Sequence, residues 1–279
     1  MNDLAIKKTV MVDATTGIYP VQKSHQCKLE VLDDCVAEEV PIALIYNGIS
    51  HAVMLATPKD LKEFAFGFSL SEGILTSAKE LYDIEIVHQE KGIELHLDVS
   101  TERFQLLKEH RRSMAGRTGC GLCGAESLEQ ALRIPETFIE STLKFDSNAI
   151  YKALQAIQAK QELQILTGAT HASAWVSLGG EVMMVREDVG RHNALDKLIG
   201  AMALSGLSKE GFVLTTSRAS YEMVQKVVTA GIPMLVAISA PTGLAIRIAQ
   251  GCGLTLIGFA RSHQHVIYSR ADRILYKNT

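Results

Sequence analysis

The chain has 279 residues, is 47% hydrophobic and carries a net charge of −3. That is long and apolar enough for one or two buried cores. The charge argues against a surface-wide nucleic-acid footprint, and no apolar run approaches the ~20 residues of a membrane-spanning helix. Five cysteines are too few for a disulfide scaffold, and their odd number fits a reducing compartment. With no charged-then-apolar layout over Met1 to Val12, cytoplasmic localisation is expected.

Residues 1–27 are polar and aperiodic, which predicts a strand or a loosely held arm. Lys28 to Leu32 alternates as a strand, and Ala37 to Tyr46 reads as a second one. Asn47-Gly48 is a hairpin signal that leads to a partner strand over Ile49 to Ala56. Thr57-Pro58-Lys59-Asp60 has the layout of a helix start, with threonine as N-cap and proline at the first helical position. The helix so predicted, Lys59 to Glu72, carries an apolar stripe of Leu61, Phe64, Ala65, Phe68 and Leu70, which reads as packing. Ser77 to Leu81 predicts a helical turn, Ile84 to Val87 and Ile93 to Val99 two strands, and Thr101 to His110 a helix.

A basic run (Lys108, His110, Arg111, Arg112, Arg117) then leads into Gly119-Cys120-Gly121-Leu122-Cys123-Gly124. Glycine flanks two thiols three residues apart, and nearby cations favour the thiolate, the reactive form. Three chemistries are compatible with this stretch, beside a purely structural role. A metal site needs further ligands at suitable spacing, and Cys27, Cys35 and Cys252 are scattered singly. A thioredoxin-like site needs a strand before the motif and a helix after it, whereas here a basic helical segment precedes. A sulfur relay needs one activated thiol on a loop that reaches two partners, and the glycines suit that.

The boundary between an N-terminal and a C-terminal half is placed within residues 134–145. Beyond it, Asp146 or Ser147 caps a helix from Asn148 to Lys160, and strands follow at Ala172 to Leu178 and Val182 to Arg186. Helices at Asn193 to Leu204, Tyr221 to Ala230 and Leu244 to Gln250 alternate with strands at Phe212 to Thr216, Met234 to Ser239 and Leu254 to Ala260. A last strand is read over Val266 to Ser269. This alternation predicts a largely parallel sheet covered on both faces, with ligands at the carboxyl ends of its strands.

Two strand-to-helix turns are rich in donors: Glu187-Asp188-Val189-Gly190-Arg191-His192-Asn193 and Ser217-Arg218-Ala219-Ser220. With Arg191, His192, Ser217 and Arg218 at helix N-termini, they suit a phosphate-bearing ligand, although no Walker-type P-loop is present. Asp188 or Asn193 would alternatively serve only to cap the next helix. A third candidate is Phe259-Ala260-Arg261-Ser262-His263-Gln264, with an aromatic ring, a cation and polar donors at the end of a strand. His171, before a strand, lacks the glutamate two residues on that a zinc deaminase needs, so that chemistry is rejected. Cys252 reads as core.

Ala115 to Gly124, together with Glu38-Glu39-Val40-Pro41, Tyr46-Asn47-Gly48, Gly67 to Gly73, Glu187 to His192 and Ser217 to Glu222, resembles the formate dehydrogenase accessory sulfurtransferase family. The likeness runs from about Val36 to Tyr268. It implies an α/β fold: a cytidine deaminase-like α/β core over residues 141–279 with a smaller α+β domain over residues 1–140, assembled as a homodimer. It also implies a cytoplasmic sulfur carrier that takes persulfide sulfur from a cysteine desulfurase. The sulfur passes to the molybdenum bis(molybdopterin guanine dinucleotide) cofactor, which is a bound substrate destined for apo formate dehydrogenase. The family's persulfide cysteine matches Cys120 and its companion Cys123. The family's cofactor-binding segment matches Phe259, Ala260, Arg261, Ser262, His263 and Gln264, with Ala260, Ser262 and His263 departing from the family's usual residues. No protein-bound metal, nucleic acid or membrane is expected. A thiol–disulfide oxidoreductase and a non-catalytic cofactor-binding chaperone are the alternatives.

Overall fold

The computed structural model describes residues 10–11, 14–112, 134–135 and 137–276. The N-terminal half begins with the short strand β1 (Val10–Met11) and a long ribbon, β2 (Thr16–His25) and β3 (Lys28–Ala37). The polar N-terminal stretch is thus a strand over ten residues, paired antiparallel along its length. A four-stranded sheet follows, built from β4 (Val40–Tyr46), β5 (Ile49–Ala56), β6 (Leu81–Gln89) and β7 (Gly92–Val99) in the order β5-β4-β7-β6. The Asn47-Gly48 turn is as expected, both residues taking positive φ. The Asn47 side chain also donates to the Val99 carbonyl and accepts from the Val99 N–H, which holds the end of β7.

Helix α1 (Leu61–Ser71) connects β5 to β6, and α2 (Thr101–Arg112) follows β7. Helix α1 starts two residues later than its sequence predicts. Asp60, in the left-handed region, is the residue at its N-cap. Thr57 is taken by a different task. It is fully buried, its N–H donates to Asp188, and its hydroxyl accepts from the Val189 N–H. The aromatic stripe packs as expected: Phe64, Ala65 and Phe68 join Ile42, Leu44, Tyr46, Leu95 and Leu97 in the core over this sheet.

The C-terminal half contains β8 (Phe145–Asp146), α3 (Ser147–Gln158), α4 (Glu162–Thr167), β9 (His171–Ser177), β10 (Val182–Asp188) and α5 (Arg191–Ser205). It continues with β11 (Gly211–Thr215), α6 (Tyr221–Thr229), β12 (Met234–Ala237), α7 (Gly243–Gly251), β13 (Thr255–Arg261), β14 (Gln264–Ser269) and β15 (Ile274–Leu275). Asp146 caps α3 by accepting from the Asn148 N–H, and Thr242 caps α7 by accepting from the Ala245 N–H. The α/β class holds. Six strands form one sheet in the order β10-β9-β11-β12-β13-β14. It is mixed rather than largely parallel: β11, β12 and β13 are parallel, while β9, β10 and β14 pair antiparallel to their neighbours. The β9–β10 connection at Gly179-Gly180 is a hairpin and not a crossover, which accounts for the difference. Leu195, Leu198, Val224 and Ala249 from α5, α6 and α7 cover one face, while Ile150, Ala153 and Ile157 from α3 cover the other.

The two halves meet along α1 and α5. A Cβ on Gly67 would lie 1.7 Å from the Asp196 carbonyl oxygen, and one on Gly200 would lie 1.9 Å from that of Glu63. The two helices therefore touch backbone to backbone, which only glycine at both positions permits. No helix among the described residues is long and apolar enough to cross a membrane.

Candidate functional site

The carboxyl ends of β10, β11, β12 and β13 share one edge of the six-stranded sheet. Because β9 is antiparallel to its neighbours, its first residue, His171, lies on that edge too and pairs with Asp188. Three predicted motifs converge here, and the structure separates their supporting residues from their available ones.

Glu187 and Asp188 belong to the scaffold. The Glu187 carboxylate accepts the backbone N–H groups of Leu163 (3.0 Å) and Gln164 (2.9 Å) and the Thr170 hydroxyl (3.1 Å), which anchors the start of α4. Asp188 is fully buried and accepts from the Thr57 N–H, the Gly190 N–H and the Asn193 side-chain amide. It also pairs with the fully buried Lys197 at 2.7 Å. Burial pulls the Lys197 ammonium down from its usual range, against the opposing pull of Asp188. These bonds fix the β10–α5 turn, so that Arg191 and His192 lead the helix.

At that helix start the backbone N–H groups are left without a side-chain cap. Neither α5, beginning after Gly190, nor α6, beginning after Ser220, has a side-chain cap. Helix N-termini in this state present N–H groups and a positive dipole end to an anion. The Arg191 guanidinium has no hydrogen bond or ion pair among the described residues, and its Nε is enclosed. Arg218 is exposed and likewise without a described partner. His192 Nε2 lies 2.8 Å from Glu222 Oε2, and its hydrogen bond, ahead of the cost of burial, holds the Glu222 carboxyl below its ordinary range. Ser217 differs from the rest. It is buried, and its hydroxyl is engaged with Thr215 Oγ1 and the Arg218 carbonyl, both at 3.0 Å. Its role is to shape the turn that carries Arg218.

His171 completes this patch. Burial, and then the charges of Arg191, His192 and Arg218, push its imidazole below the usual pKa. The sequence offered one signal for His171 as a site residue, its place at the head of a strand. That signal has meaning only once β9 is known to run antiparallel, bringing its start to the carboxyl edge.

Phe259 to Gln264 occupies the same edge beyond β12. Two strand spacings, about 10 Å, separate β11 from β13. Phe259 has φ +52° and is 44% exposed, with its N–H donated to the Ser239 carbonyl at 3.2 Å. A bulge between Gly258 and Arg261 turns the ring outward. Ala260 instead packs in the core with Phe145 and Ile150, so any ligand contact it makes is through its backbone. Arg261, Ser262, His263 and Gln264 are exposed on the β13–β14 turn, and the His263 ring lies 6.1 Å from that of Tyr151. The turns are tied together between the two patches, since the Thr242 N–H donates to the Ala219 carbonyl at 3.1 Å.

Cys120, Cys123 and Arg117 lie outside the described residues. Lys108, the first cation of the basic run, sits over the Phe104 ring at 4.4 Å. Among the described residues no group of three or more His, Cys, Asp or Glu side chains is arranged to hold a metal ion. Cys252 packs in the core as expected, where burial pushes its thiol up.

Residues 37–275 match the model of the FdhD/NarQ family. A relative from Cupriavidus necator, "Sulfur carrier protein FdhD", is 54% identical over 264 residues, covering 94% of this chain and 91% of the relative. A protein of the same name from Xanthomonas oryzae pv. oryzae is 51% identical, covering 94% of each chain. A crystal structure of a candidate formate dehydrogenase accessory protein from Desulfotalea psychrophila superposes with a TM-score of 0.72 at 23% identity. That match covers 94% of this chain and all of the other.

Proposed function

The chain belongs to the FdhD/NarQ family, and from that premise we propose that it is a sulfur carrier in formate dehydrogenase maturation. Sulfur is accepted on Cys120 from a cysteine desulfurase. It is delivered to a molybdenum bis(molybdopterin guanine dinucleotide) cofactor resting on the carboxyl edge of the six-stranded sheet. The observation that supports this reading most is the pairing of two open features on that one edge. One is the pair of arginines, Arg191 and Arg218, at two uncapped helix starts, with His192 paired to Glu222 beside Arg191; the other is the exposed Phe259 beside the Arg261 to Gln264 turn. Phosphates suit the first, and a guanine base suits the aromatic ring of the second.

The Cys120 thiolate attacks the outer sulfur of the desulfurase persulfide. A new S–S bond forms on Cys120, the donor's S–S bond breaks, and the desulfurase cysteine leaves as thiolate. Delivery as sulfide needs two electrons. Cys123 assists by attacking Cys120 Sγ, which expels hydrosulfide and leaves a Cys120–Cys123 disulfide for a cellular dithiol to reduce; without Cys123, a cellular thiol attacks the same sulfur, expels hydrosulfide and leaves a mixed disulfide to be reduced. The loop's basic neighbours favour the thiolates at each stage.

Complementation of cells lacking this protein tests the reading. Formate dehydrogenase activity is expected to be lost with Cys120→Ala and to fall less with Cys123→Ala. Full activity with Cys120→Ala would favour a cofactor-binding chaperone, and equal loss with either variant a thiol–disulfide oxidoreductase.

A further inference from the structure

We propose that His171 is a member of the phosphate-binding patch and takes up a proton when an anion enters it. The inference rests on the reading of the carboxyl edge as a phosphate site, and it adds a residue and a pH response to that site. His171 begins β9 opposite Asp188, half-buried and with no described hydrogen-bond partner. Two residues further along the same face, Ser173 is fully buried and its hydroxyl has no partner among the described residues. Arg191 Nε, at the start of α5, is enclosed and unpartnered as well. Ser173 Oγ and Arg191 Nε, two buried polar atoms unpaired among the described residues, are costly without a ligand, because buried donors and acceptors are otherwise nearly always paired.

The charges facing His171 explain why the proton arrives with the ligand. Burial first, and then Arg191 and His192 at the start of α5 and Arg218 on the β11–α6 turn, push its pKa down. From β10 comes Asp188, whose carboxylate already serves Lys197 and three hydrogen-bond donors. Glu222 on α6 is engaged by His192. The balance left around the imidazole is cationic, so the empty site disfavours a further positive charge, as burial also does. A phosphate group reverses that sign and makes the imidazolium favourable. Linkage then fixes the direction: affinity rises as pH falls between the bound-state and free-state midpoints of His171, by up to about tenfold per pH unit.

The test uses the full chain carrying Cys120→Ala, with inorganic pyrophosphate as probe and the His171 ring nitrogens followed by NMR. Saturation is expected to raise the His171 midpoint by about one pH unit or more. His171→Gln is expected to weaken pyrophosphate binding about tenfold at pH 6 and by less than about twofold at pH 8. An unmoved midpoint, an equal loss at both pH values, or no pyrophosphate binding would overturn the proposal. The midpoint is read in the unsubstituted patch, so a folding defect in His171→Gln does not blunt the test. Sulfur loading plays no part in the measurement, so failure of the sulfur-carrier reading would show separately.

Discussion

At the scale of single residues, the polar turns divide into groups that hold the protein and groups whose side chains have no described partner. Glu187, Asp188 and Ser217 spend their acceptors on the chain itself, while Arg191 and Arg218 have no described partner. Arg191→Gln and Arg218→Gln are each expected to weaken guanosine diphosphate binding about tenfold with little loss of stability, as titration calorimetry and thermal unfolding would show. The reverse holds for Lys197. Lys197→Ala leaves the Asp188 carboxylate buried without its cation, at an expected cost of about 3–5 kcal/mol in denaturant unfolding. The sequence announced that the Glu187 to Asn193 turn was unusual, but not this division. Deciding it requires knowing that Thr57, 131 residues away from Asp188, contributes the N–H its carboxylate accepts.

At the scale of elements, most of the fold was legible because the local signals were strong. Alternation marked β4, β5 and β7, Asn47-Gly48 marked their hairpin, and Asp146 and Thr242 capped the helices placed after them. The misses have tertiary causes. Thr57 has the sequence of an N-cap but is drawn into the Asp188 cluster, so α1 begins at Leu61. Helix α4 is six residues long, and its start is held by Glu187 from a distant strand, which leaves no periodic trace. Two element-scale predictions follow from close contacts. Gly200→Ala should separate α1 from α5 and destabilise the protein by about 3 kcal/mol or more, read from urea unfolding. Glu80 joins the turn after α1 to α2 through Arg103 Nε at 2.7 Å. Burial raises its carboxyl, but the Thr76 and Ser77 N–H groups and Arg103 outweigh it and hold the pKa at about 2. Its stabilising contribution is therefore complete above the unfolded carboxylate's pKa of about 4.3 and lost as pH falls toward 2. Glu80→Gln should cost about 1 kcal/mol at pH 7 and nothing near pH 2.

At the scale of the whole molecule, the two halves are joined by charge as well as by glycine packing. Lys226 on α6 lies 2.7 Å from Glu72 at the end of α1 and 3.0 Å from Asp196 on α5, and Ser71 donates to Asp196 at 2.6 Å. Burial opposes the Lys226 charge, but the two carboxylates hold its ammonium pKa above the usual value. The same helix α5 carries Arg191 at its first position and Asp196 and Gly200 further along. The contact between halves and the Arg191 turn thus share one element, which joins α1 to the carboxyl edge of the six-stranded sheet. The central claim is that sulfur travels on Cys120, and intact-mass spectrometry after incubation with a cysteine desulfurase and cysteine tests it most directly. The account predicts a gain of about 32 Da, one sulfur atom, located on Cys120, retained in Cys123→Ala, where no Cys120–Cys123 disulfide can form, and absent from Cys120→Ala; an unloaded Cys120 in the Cys123→Ala chain would contradict it.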